Sequence, residues 1–176
     1  MNISFISLAE SHFPFLLQWL ETAHVKSWWD QDVTWTSALI QEKYTNYVKG
    51  YRLENGIAKA ICAYVICVDT VPIGYIQLYN AHDFARQRPL TGLPKNLGAI
   101  DMFIGEEACL NRGIGSQTLI QFLNEHGNVY THIFADPESI NYAAIRAYEK
   151  AGFVQLVEQL GTEDVWMIRS HAHFLV

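Results

Sequence analysis

Residues 99–120 constrain this chain more than any other stretch, because they combine a buried strand, a glycine loop and a helix. The apolar run from Ala99 to Ile104 predicts a buried strand that one carboxylate, Asp101, interrupts. A short polar segment then leads to residues 112–116, Arg-Gly-Ile-Gly-Ser, and to a helical pattern of apolar residues. This order predicts an anion-binding site, and a tight turn with a glycine cap is the simpler alternative.

The expected anion site depends on the first turn of that helix. Backbone N–H groups there lack intrahelical partners and point outward with the positive end of the helix dipole. Gly113 and Gly115 have no Cβ, so the backbone can approach a bound phosphate closely, and Arg112 adds a positive charge. Ser116 is expected near the exposed helix start. Dinucleotide loops and P-loops are excluded, because neither a third glycine nor Gly-Lys-Ser/Thr follows.

Composition and charge exclude several classes of protein. A length of 176 residues predicts a single domain over 1–176, and a net charge of −6 with scattered basic residues argues against a nucleic-acid partner. The N-terminus has no signal-like pattern and no apolar run approaches the ~18 residues of a membrane span, which predicts a cytoplasmic protein with no membrane partner. Both a monomer and a homodimer are compatible with the sequence.

Hydrophobic periodicity and turn residues divide the remaining chain into strands and helices. The predicted strands cover residues 2–7, 59–68, 73–79, 129–135, 153–159 and 164–169, and the further predicted helices cover 10–21, 34–48 and 141–150. Ser11 is expected to cap the first helix. The apolar residues Ala38, Leu39, Tyr44 or Tyr47, and Val48 recur on one side of the second helix. Residues 81–98 show no periodicity and predict a long loop that borders a functional site.

A tandem tryptophan flanked by carboxylates follows the first helix. Indole faces attract cations and carboxylates pair with amines, so Trp28, Trp29 and Asp30 are candidate contacts for a cationic molecule. The alternative is that an indole fills the gap between two helices while the aspartates cap the next helix. Both interpretations hold if one indole faces inward and the other outward.

Three smaller groups of residues are weaker candidates for a functional role. Gln77 and Tyr79 share one face of a predicted strand and are hydrogen-bonding candidates if that face lines a pocket, although surface exposure is the default expectation. His171 and His173 alternate near the C-terminus, but no third ligand accompanies them, so no metal site is predicted. Cys109 has no matching histidine arrangement and is expected to be structural.

Residues 141–153 follow the pattern Asn-x-x-Ala-x-x-x-Tyr-x-Lys-x-Gly-Phe. On a helix, Asn141, Ala144 or Ile145, and Tyr148 fall along one face, and the small alanines allow close packing. Together with the Arg-Gly-x-Gly sequence upstream, this pattern resembles the GNAT superfamily of N-acetyltransferases. The resemblance implies the GNAT fold, a mixed α/β (α+β) domain with a twisted sheet of about six to seven strands, a parallel central pair and about four helices.

Within that superfamily, the chain is most similar to the aminoglycoside 6'-N-acetyltransferases over most of its length. The matching segments are His24 to Trp29, Pro72 to Gln77, Ile100-Asp101 and Asp136-Pro137. The resemblance implies acetyl-coenzyme A (acetyl-CoA) bound between splayed parallel strands near 100–105 and 130–135. One departure is Leu110, which stands where the superfamily usually has Gln or Arg, so Asn111 and Arg112 are expected to supply the polar character.

The implied reaction is attack of a primary amine on the thioester, which requires a proton acceptor and a stabilised thiolate. Asp101 is the expected acceptor, because a carboxylate in an apolar strand needs a partner or a task; pairing with a buried backbone group or an arginine is the alternative. Tyr148 is the expected donor to the thiolate, and a packed helix tyrosine is its alternative.

The resemblance also assigns the binding residues. Those expected to hold the cofactor, partly through backbone N–H groups, are Met102, Phe103, Ile104, Asn111, Arg112, Gly113, Ile114, Gly115, Ser116, Asn141 and Tyr148. Those expected to bind the acceptor are Trp28, Trp29, Asp30, Gln77, Tyr79, Asp101, Asp136 and Asp164.

The sequence therefore predicts an acetyl-CoA-dependent N-acetyltransferase whose acceptor is the 6'-amine of an aminoglycoside. A first alternative keeps the chemistry and changes the acceptor to a siderophore precursor or another small amine, because the Trp-Trp segment and the 72–77 hairpin also resemble those relatives. A second alternative is an acetyl-CoA-binding module without catalysis.

Overall fold

The computed structural model describes residues 1–86, 88–156 and 163–170. Its helices are α1 (Phe13–Leu20), α2 (Ala23–Lys26), α3 (Ser37–Val48), α4 (Ile114–His126) and α5 (Tyr142–Lys150). Its strands are β1 (Ile3–Ser7), β2 (Tyr51–Glu54), β3 (Ile57–Val68), β4 (Val71–Asn80), β5 (Leu97–Ile104), β6 (His132–Ala135), β7 (Val154–Gln155) and β8 (Met167–Ser170). Among these described helices, none has the length and apolarity needed to cross a bilayer.

The strands hydrogen-bond in the order β1-β3-β4-β5-β6-β8-β7, and β2 pairs with β3. Strands β5 and β6 run parallel, with Leu97 opposite His132 and Ala99 opposite Phe134. The pairs β1–β3, β2–β3, β6–β8 and β7–β8 are antiparallel. This mixed sheet with one parallel pair confirms the predicted fold class, and its described strands and helices slightly outnumber those expected.

The chain forms two compact units, and strands β4 and β5 contribute residues to both. The first unit consists of Met1–Gln77 and Asp101–Arg112, and the second of Leu78–Ile100 and Gly113–Val176. The expectation of a single domain over the whole chain stays a prediction.

The core of the first unit is rich in aromatic side chains. Helix α1 buries Leu16, Trp19 and Leu20, whereas α3 buries Ile40, Tyr44 and Tyr47 at helical spacing. Four rings form what we call the aromatic cluster, with neighbouring centroids 5.0 to 6.0 Å apart: Trp29, Tyr44, Tyr75 and Phe103. The edge-to-face and stacked arrangements of these rings add to the free energy of burial.

The second unit has a core of its own, formed where helices α4 and α5 pack together. The side chains of Phe122 on α4, Phe134 on β6 and Met167 on β8 are completely buried. Helix α5 buries Ile145 and Tyr148, which lie three residues apart on one face, as its pattern predicts.

The starts of the first two long helices differ from the prediction. Ser11 lies inside a 3₁₀ turn, Glu10–His12, and α1 follows with Pro14 in its first turn, so Ser11 does not cap it. Helix α3 starts at Ser37, where the Thr36 hydroxyl accepts a hydrogen bond from the Leu39 amide. Its buried face consists of Ile40, Tyr44 and Tyr47, so the tyrosines of the predicted apolar side are buried, whereas placing Ala38 and Leu39 on the same side is wrong because both are exposed.

Strand β2 was not predicted from the sequence, and the turn that follows it explains why it forms. Asn55 and Gly56 connect β2 to β3 with φ values of 51° and 78°, which match a type I′ hairpin turn. The turn between β3 and β4 is equally short, because only Asp69 and Thr70 separate the strands, with φ values of 47° and 71°. Strand β4 therefore includes Val71 and Pro72, which precede the predicted strand 73–79.

Several strand boundaries shift along the chain. The parallel pairing covers Leu97–Ala99 and His132–Phe134, so it begins earlier on β5 than the expected 100–105 and stops before β5 ends. Strand β6 is shorter than predicted because a 3₁₀ turn, Gly127–Val129, follows α4. The last part of the predicted strand 153–159, and both His171 and His173, lie outside the described residues.

Gly74 permits a close backbone approach between β4 and the end of β5. A Cβ at this position would overlap the carbonyl oxygen of Phe103 and lie 3.0 Å from the Cα of Ile104. These neighbours are backbone atoms and cannot rotate away. The glycine of the Pro-Ile-Gly-Tyr segment therefore has a packing role in the first unit.

We expect Gly74→Ala to destabilise the protein by about 1–3 kcal/mol, because the added methyl must displace the main chain of β5. Urea unfolding monitored by tryptophan fluorescence would measure this loss. Gly115→Ala is the matched control, because a Cβ there has no neighbour within 4 Å. Equal unfolding midpoints for the two variants would contradict the packing role.

Candidate active site

Asp101 lies half-buried on β5, where it accepts a hydrogen bond from a side-chain amide. Gln77 Nε2 donates to Asp101 Oδ2 at 2.7 Å, and the Tyr75 hydroxyl donates to Gln77 Oε1 at 2.8 Å. Among the described residues, no arginine or backbone group pairs with this carboxylate, so its alternative assignment is not observed. Gln77 is only 6% exposed, and the default expectation of surface exposure was therefore wrong.

The two tryptophans of the tandem pair have different environments. The Trp29 ring packs edge-on against Tyr75 and Phe103, at centroid distances of 6.0 and 5.0 Å. Trp28 is 41% exposed. One indole thus packs inward, against rings on β4 and β5, and one lies at the surface. The expectation that the aspartates cap the next helix is wrong, because Thr36 caps α3.

Asp30 forms an ion pair with Lys43 of α3 at 2.7 Å. The Lys43 ammonium also lies 5.1 Å from the Trp35 ring centroid and 5.4 Å from that of Tyr44. Lys43 was not among the predicted site residues, because a lysine on a helix gives no sequence signal of its partner. A cationic acceptor at Asp30 would compete with this ammonium.

Burial raises the pKa of two phenols near Asp30, those of Tyr44 and Tyr47. It raises the pKa of Tyr44 well above its ordinary value, and the negative charge of Asp30 adds to the effect. Burial also raises the pKa of Tyr47, although Arg52 opposes the rise. Both phenols therefore remain protonated at neutral pH, and the aromatic side chains of the first unit add no negative charge.

The predicted main-chain contacts lie at the end of β5. Met102 and Ile104 are half-buried, and the Phe103 ring belongs to the aromatic cluster. A ring nitrogen of His24 hydrogen-bonds to the Ile104 carbonyl at 3.0 Å. This contact gives the histidine of the His-x-x-x-Trp-Trp segment a structural role, since it ties α2 to β5.

The glycine loop has the backbone expected of a tight turn into a helix. Gly113, the N-cap of α4, has a φ of 76°, and Asn111 has a φ of 58°. Ile114 is buried beneath the helix start, while a Cβ on Gly115 would have no neighbour within 4 Å. The outward N–H groups of this first turn, with open space beside Gly115, suit a phosphate.

The polar side chains around this loop are used within the protein. The Ser116 hydroxyl donates to the Gly113 carbonyl at 3.0 Å and the residue is buried, so the expected exposure of Ser116 was wrong. Arg112 is exposed and its guanidinium donates to the Ala108 carbonyl at 3.4 Å.

Helix α5 carries the other two predicted cofactor residues. Asn141 is its N-cap, with Oδ1 accepting a hydrogen bond from the Ala144 amide at 3.1 Å. Tyr148 is 7% exposed, and its hydroxyl donates to the Ile100 carbonyl at 3.4 Å. Ile100 is the first residue of β5 beyond the parallel pairing with β6, so this hydroxyl lies where the two strands stop pairing.

Asp136, directly after β6, forms an ion pair with Arg86 of the 81–96 segment. The Arg86 guanidinium also donates to the Tyr79 hydroxyl at 3.2 Å and lies 4.9 Å from the Phe134 ring centroid. Tyr79 is buried rather than exposed. Arg86 was not among the predicted site residues, because the partner of a loop arginine is visible only once the fold is known.

Asp164 lies in the segment that pairs with the residues after Asp136, through an isolated bridge to Glu138. Burial raises the pKa of the Asp164 carboxyl, and the positive charge of Arg88 partly opposes this rise. The Arg88 guanidinium lies 4.5 Å from the Trp166 ring centroid. The loop predicted to border a functional site thus places two arginines near predicted acceptor carboxylates.

Metal ligation has no visible basis in the described parts of the chain. Residues 1–86, 88–156 and 163–170 contain no group of three or more His, Cys, Asp or Glu side chains placed to hold an ion.

The predicted site residues are divided between the two units. The first unit contains Asp101 with its hydrogen-bonded partner Gln77. The second unit contains the start of α4, Tyr148 and the ion pair between Arg86 and Asp136.

Comparisons with known proteins identify the family. The aminoglycoside N(6')-acetyltransferases type 1 of Klebsiella pneumoniae and Serratia marcescens are each 29% identical over 150 residues, covering 83% of this chain and 71% of the relative. A structure of AAC(6')-Ib with parmomycin and acetyl-CoA superposes with a TM-score of 0.82 at 25% identity, covering 97% of this chain and 94% of that chain. A structure of AAC(6')-Ib with coenzyme A and kanamycin gives a TM-score of 0.80 at the same identity, covering 97% and 95%. The model of the GNAT acetyltransferase domain matches residues 9–159, and the chain therefore belongs to the GNAT acetyltransferase family.

Proposed function

We propose that this protein transfers the acetyl group of acetyl-CoA to a primary amine, and that its preferred acceptor is the 6'-amine of an aminoglycoside. The observation that carries the proposal is the Asp101 carboxylate, held by Gln77 at 2.7 Å in a chain of the GNAT family. The relatives' names and the ligands in the AAC(6')-Ib structures support the choice of acceptor.

Asp101 serves as the proton acceptor in this proposal. Its Oδ2 is occupied by the Gln77 amide, whereas Oδ1 makes no hydrogen bond to the described residues and can accept one from an ammonium. Removing a proton from that ammonium leaves the neutral amine needed for attack. The negative charge also attracts the cationic acceptor before the proton moves.

The residues of the second unit fit coenzyme A. The N-terminal turn of α4 presents N–H groups beside Gly113 and Gly115, a suitable cradle for the pyrophosphate. Acetyl-CoA supplies the activated acetyl thioester when bound. Asn111 and Arg112 precede this turn, and we assign them, with Asn141 on α5, to cofactor binding.

Tyr148 is the proposed donor to the departing sulfur. Its hydroxyl carries a proton, is nearly buried and lies where β5 and β6 stop pairing. This hydroxyl donates to the Ile100 carbonyl at a long 3.4 Å, and a stronger acceptor would receive a shorter hydrogen bond from it. A thiolate is such an acceptor, because it carries a full negative charge. The N–H groups of Met102 to Ile104 are assigned to the thioester carbonyl.

In this proposal the acceptor contacts of the first unit are Trp28, Trp29, Asp30, Gln77 and Asp101, and those of the second unit are Tyr79, Asp136 and Asp164. Aminoglycosides carry several ammonium groups, which carboxylates and indole faces recognise. We also propose a cytoplasmic location, where the free thiols of Cys62, Cys67 and Cys109 persist.

One observation favours a second acceptor class. The carboxylate of Asp136 is already paired with Arg86, and Arg88 acts on Asp164. Guanidinium groups at these positions lower the affinity for a polycation and favour an amine that carries fewer positive charges or its own carboxylate. A siderophore precursor of the hydroxylysine type has this character.

Thiol release from acetyl-CoA by the purified protein, with kanamycin, tobramycin, spermidine and hydroxylysine as separate acceptors, tests the function. We expect fast release with the two aminoglycosides. Release with hydroxylysine alone would replace the acceptor with the second class. Silence with every acceptor, despite cofactor binding, would identify a binding module without catalysis.

Asp101→Asn should lower kcat about 10²- to 10⁴-fold, because the isosteric amide cannot accept the proton. Its affinity for coenzyme A, measured by calorimetry, should match that of the unmodified protein. Turnover at the unmodified rate would refute Asp101 as the base.

Gly113→Asp should weaken coenzyme A binding about tenfold or more, because a carboxylate beside the α4 start repels phosphate. Gly113→Asn is the matched control: it has nearly the same shape, carries no charge, and asparagine tolerates the left-handed backbone of this residue. Calorimetry should show that the Asn variant keeps most of its affinity. Equal affinities for the two variants would contradict a phosphate at this turn.

A further inference from the structure

The hydrogen bond to Asp101 is the end of a longer chain that starts at Tyr75. The Tyr75 hydroxyl donates to Gln77 Oε1 at 2.8 Å, and Gln77 Nε2 donates to Asp101 Oδ2 at 2.7 Å. Tyr75 is completely buried, so no acceptor molecule can touch it. Any effect of Tyr75 on the reaction must therefore pass through its neighbours.

The hydrogen bonds from Tyr75 to Gln77 and from Gln77 to Asp101 run in one consistent direction. An ionised carboxylate only accepts hydrogen bonds, so Gln77 must present its NH₂ group to Asp101 and its oxygen to Tyr75. A hydroxyl at Tyr75 donates to that oxygen and stabilises this orientation of the amide. Without the hydroxyl, the amide oxygen would be left buried without this donor, and the flipped amide would point its oxygen at the carboxylate.

The aromatic cluster fixes the position of Tyr75, the first donor of this hydrogen-bond chain. The Tyr75 ring stacks on Phe103 at 5.6 Å and meets Trp29 and Tyr44 edge-on at 6.0 and 5.7 Å. Closely packed rings have little rotational freedom, so the hydroxyl occupies a defined position. Tyr75 and Gln77 also lie two residues apart on β4, which directs both side chains to one face of the strand.

We propose that Tyr75 is a positioning residue that orients the base Asp101 through the amide of Gln77. The proposal rests on the proposed function of Asp101. It gives Gln77 a role that differs from the acceptor contact assigned to it above. A positioning chain changes the rate of proton removal much more than acceptor affinity, because proton transfer requires a defined geometry of the carboxylate whereas the attraction between opposite charges depends only weakly on it.

The test compares Tyr75→Phe with Tyr44→Phe, which removes a buried hydroxyl of the same aromatic cluster that is not part of the chain to Asp101. Tyr75→Phe should lower kcat about 2- to 12-fold, the equivalent of one lost neutral hydrogen bond, with unchanged acceptor KM and coenzyme A affinity. Tyr44→Phe should leave kcat unchanged. Equal rates for the two variants would overturn the proposal.

The double variant Tyr75→Phe/Asp101→Asn separates positioning from general packing damage. If Tyr75 acts through Asp101, adding Tyr75→Phe to Asp101→Asn should not lower the residual rate further, whereas a packing defect would lower it again. Unmodified turnover in Asp101→Asn alone would instead refute the proposed base. Failure of Asp101 as the base and failure of Tyr75 as a positioning residue therefore give different results.

Gln77→Met provides a second route to the same answer if Tyr75→Phe folds poorly. Methionine fills a similar volume without donating to Asp101. Loss of kcat at constant KM supports the positioning chain. A raised KM at constant kcat would show that Gln77 is an acceptor contact, and this result would overturn the proposal.

Discussion

A carboxylate on an otherwise apolar strand is the constraint on which the first unit depends. Burying the Asp101 charge costs free energy unless a donor compensates it, and Gln77 supplies that donor. The donor is itself oriented by Tyr75, whose position is fixed by the aromatic cluster. Gly74 lets β4 and β5 approach closely enough for this arrangement. The Pro-Ile-Gly-Tyr-Ile-Gln segment thus combines backbone packing with the support of one charge.

The proposed phosphate site lies in the second unit and relies on backbone N–H groups. Its features are the first turn of α4, which begins at Gly113 in the left-handed conformation, and the open space beside Gly115. The Ser116 hydroxyl donates to the Gly113 carbonyl and restrains this turn. Backbone groups are therefore presented in a fixed geometry, which lowers the entropy lost when a ligand binds.

Charge pairing within the protein bears directly on acceptor choice. Asp30 and Asp136, two of the proposed acceptor contacts, are paired with Lys43 and Arg86. An ammonium that replaces the lysine or arginine must first break that pair, which costs free energy. Asp101 differs, since its hydrogen-bond partner among the described residues is the neutral amide of Gln77. An ammonium that approaches Asp101 therefore does not have to displace this donor, which occupies only Oδ2.

The sequence by itself determined the Gly113 turn and the α5 face with Ile145 and Tyr148, because glycine geometry and local periodicity encode these features, and its motifs implied the class of fold through their resemblance to the GNAT superfamily. It also contained the turn signal Asn55-Gly56, although strand β2, which precedes it, was not predicted. Only the tertiary structure decided which side chains pair. Arg86 and Asp136 are fifty residues apart, and Gln77 reaches Asp101 across twenty-four. Pairing over such separations depends on strand order and close packing, which no local pattern specifies.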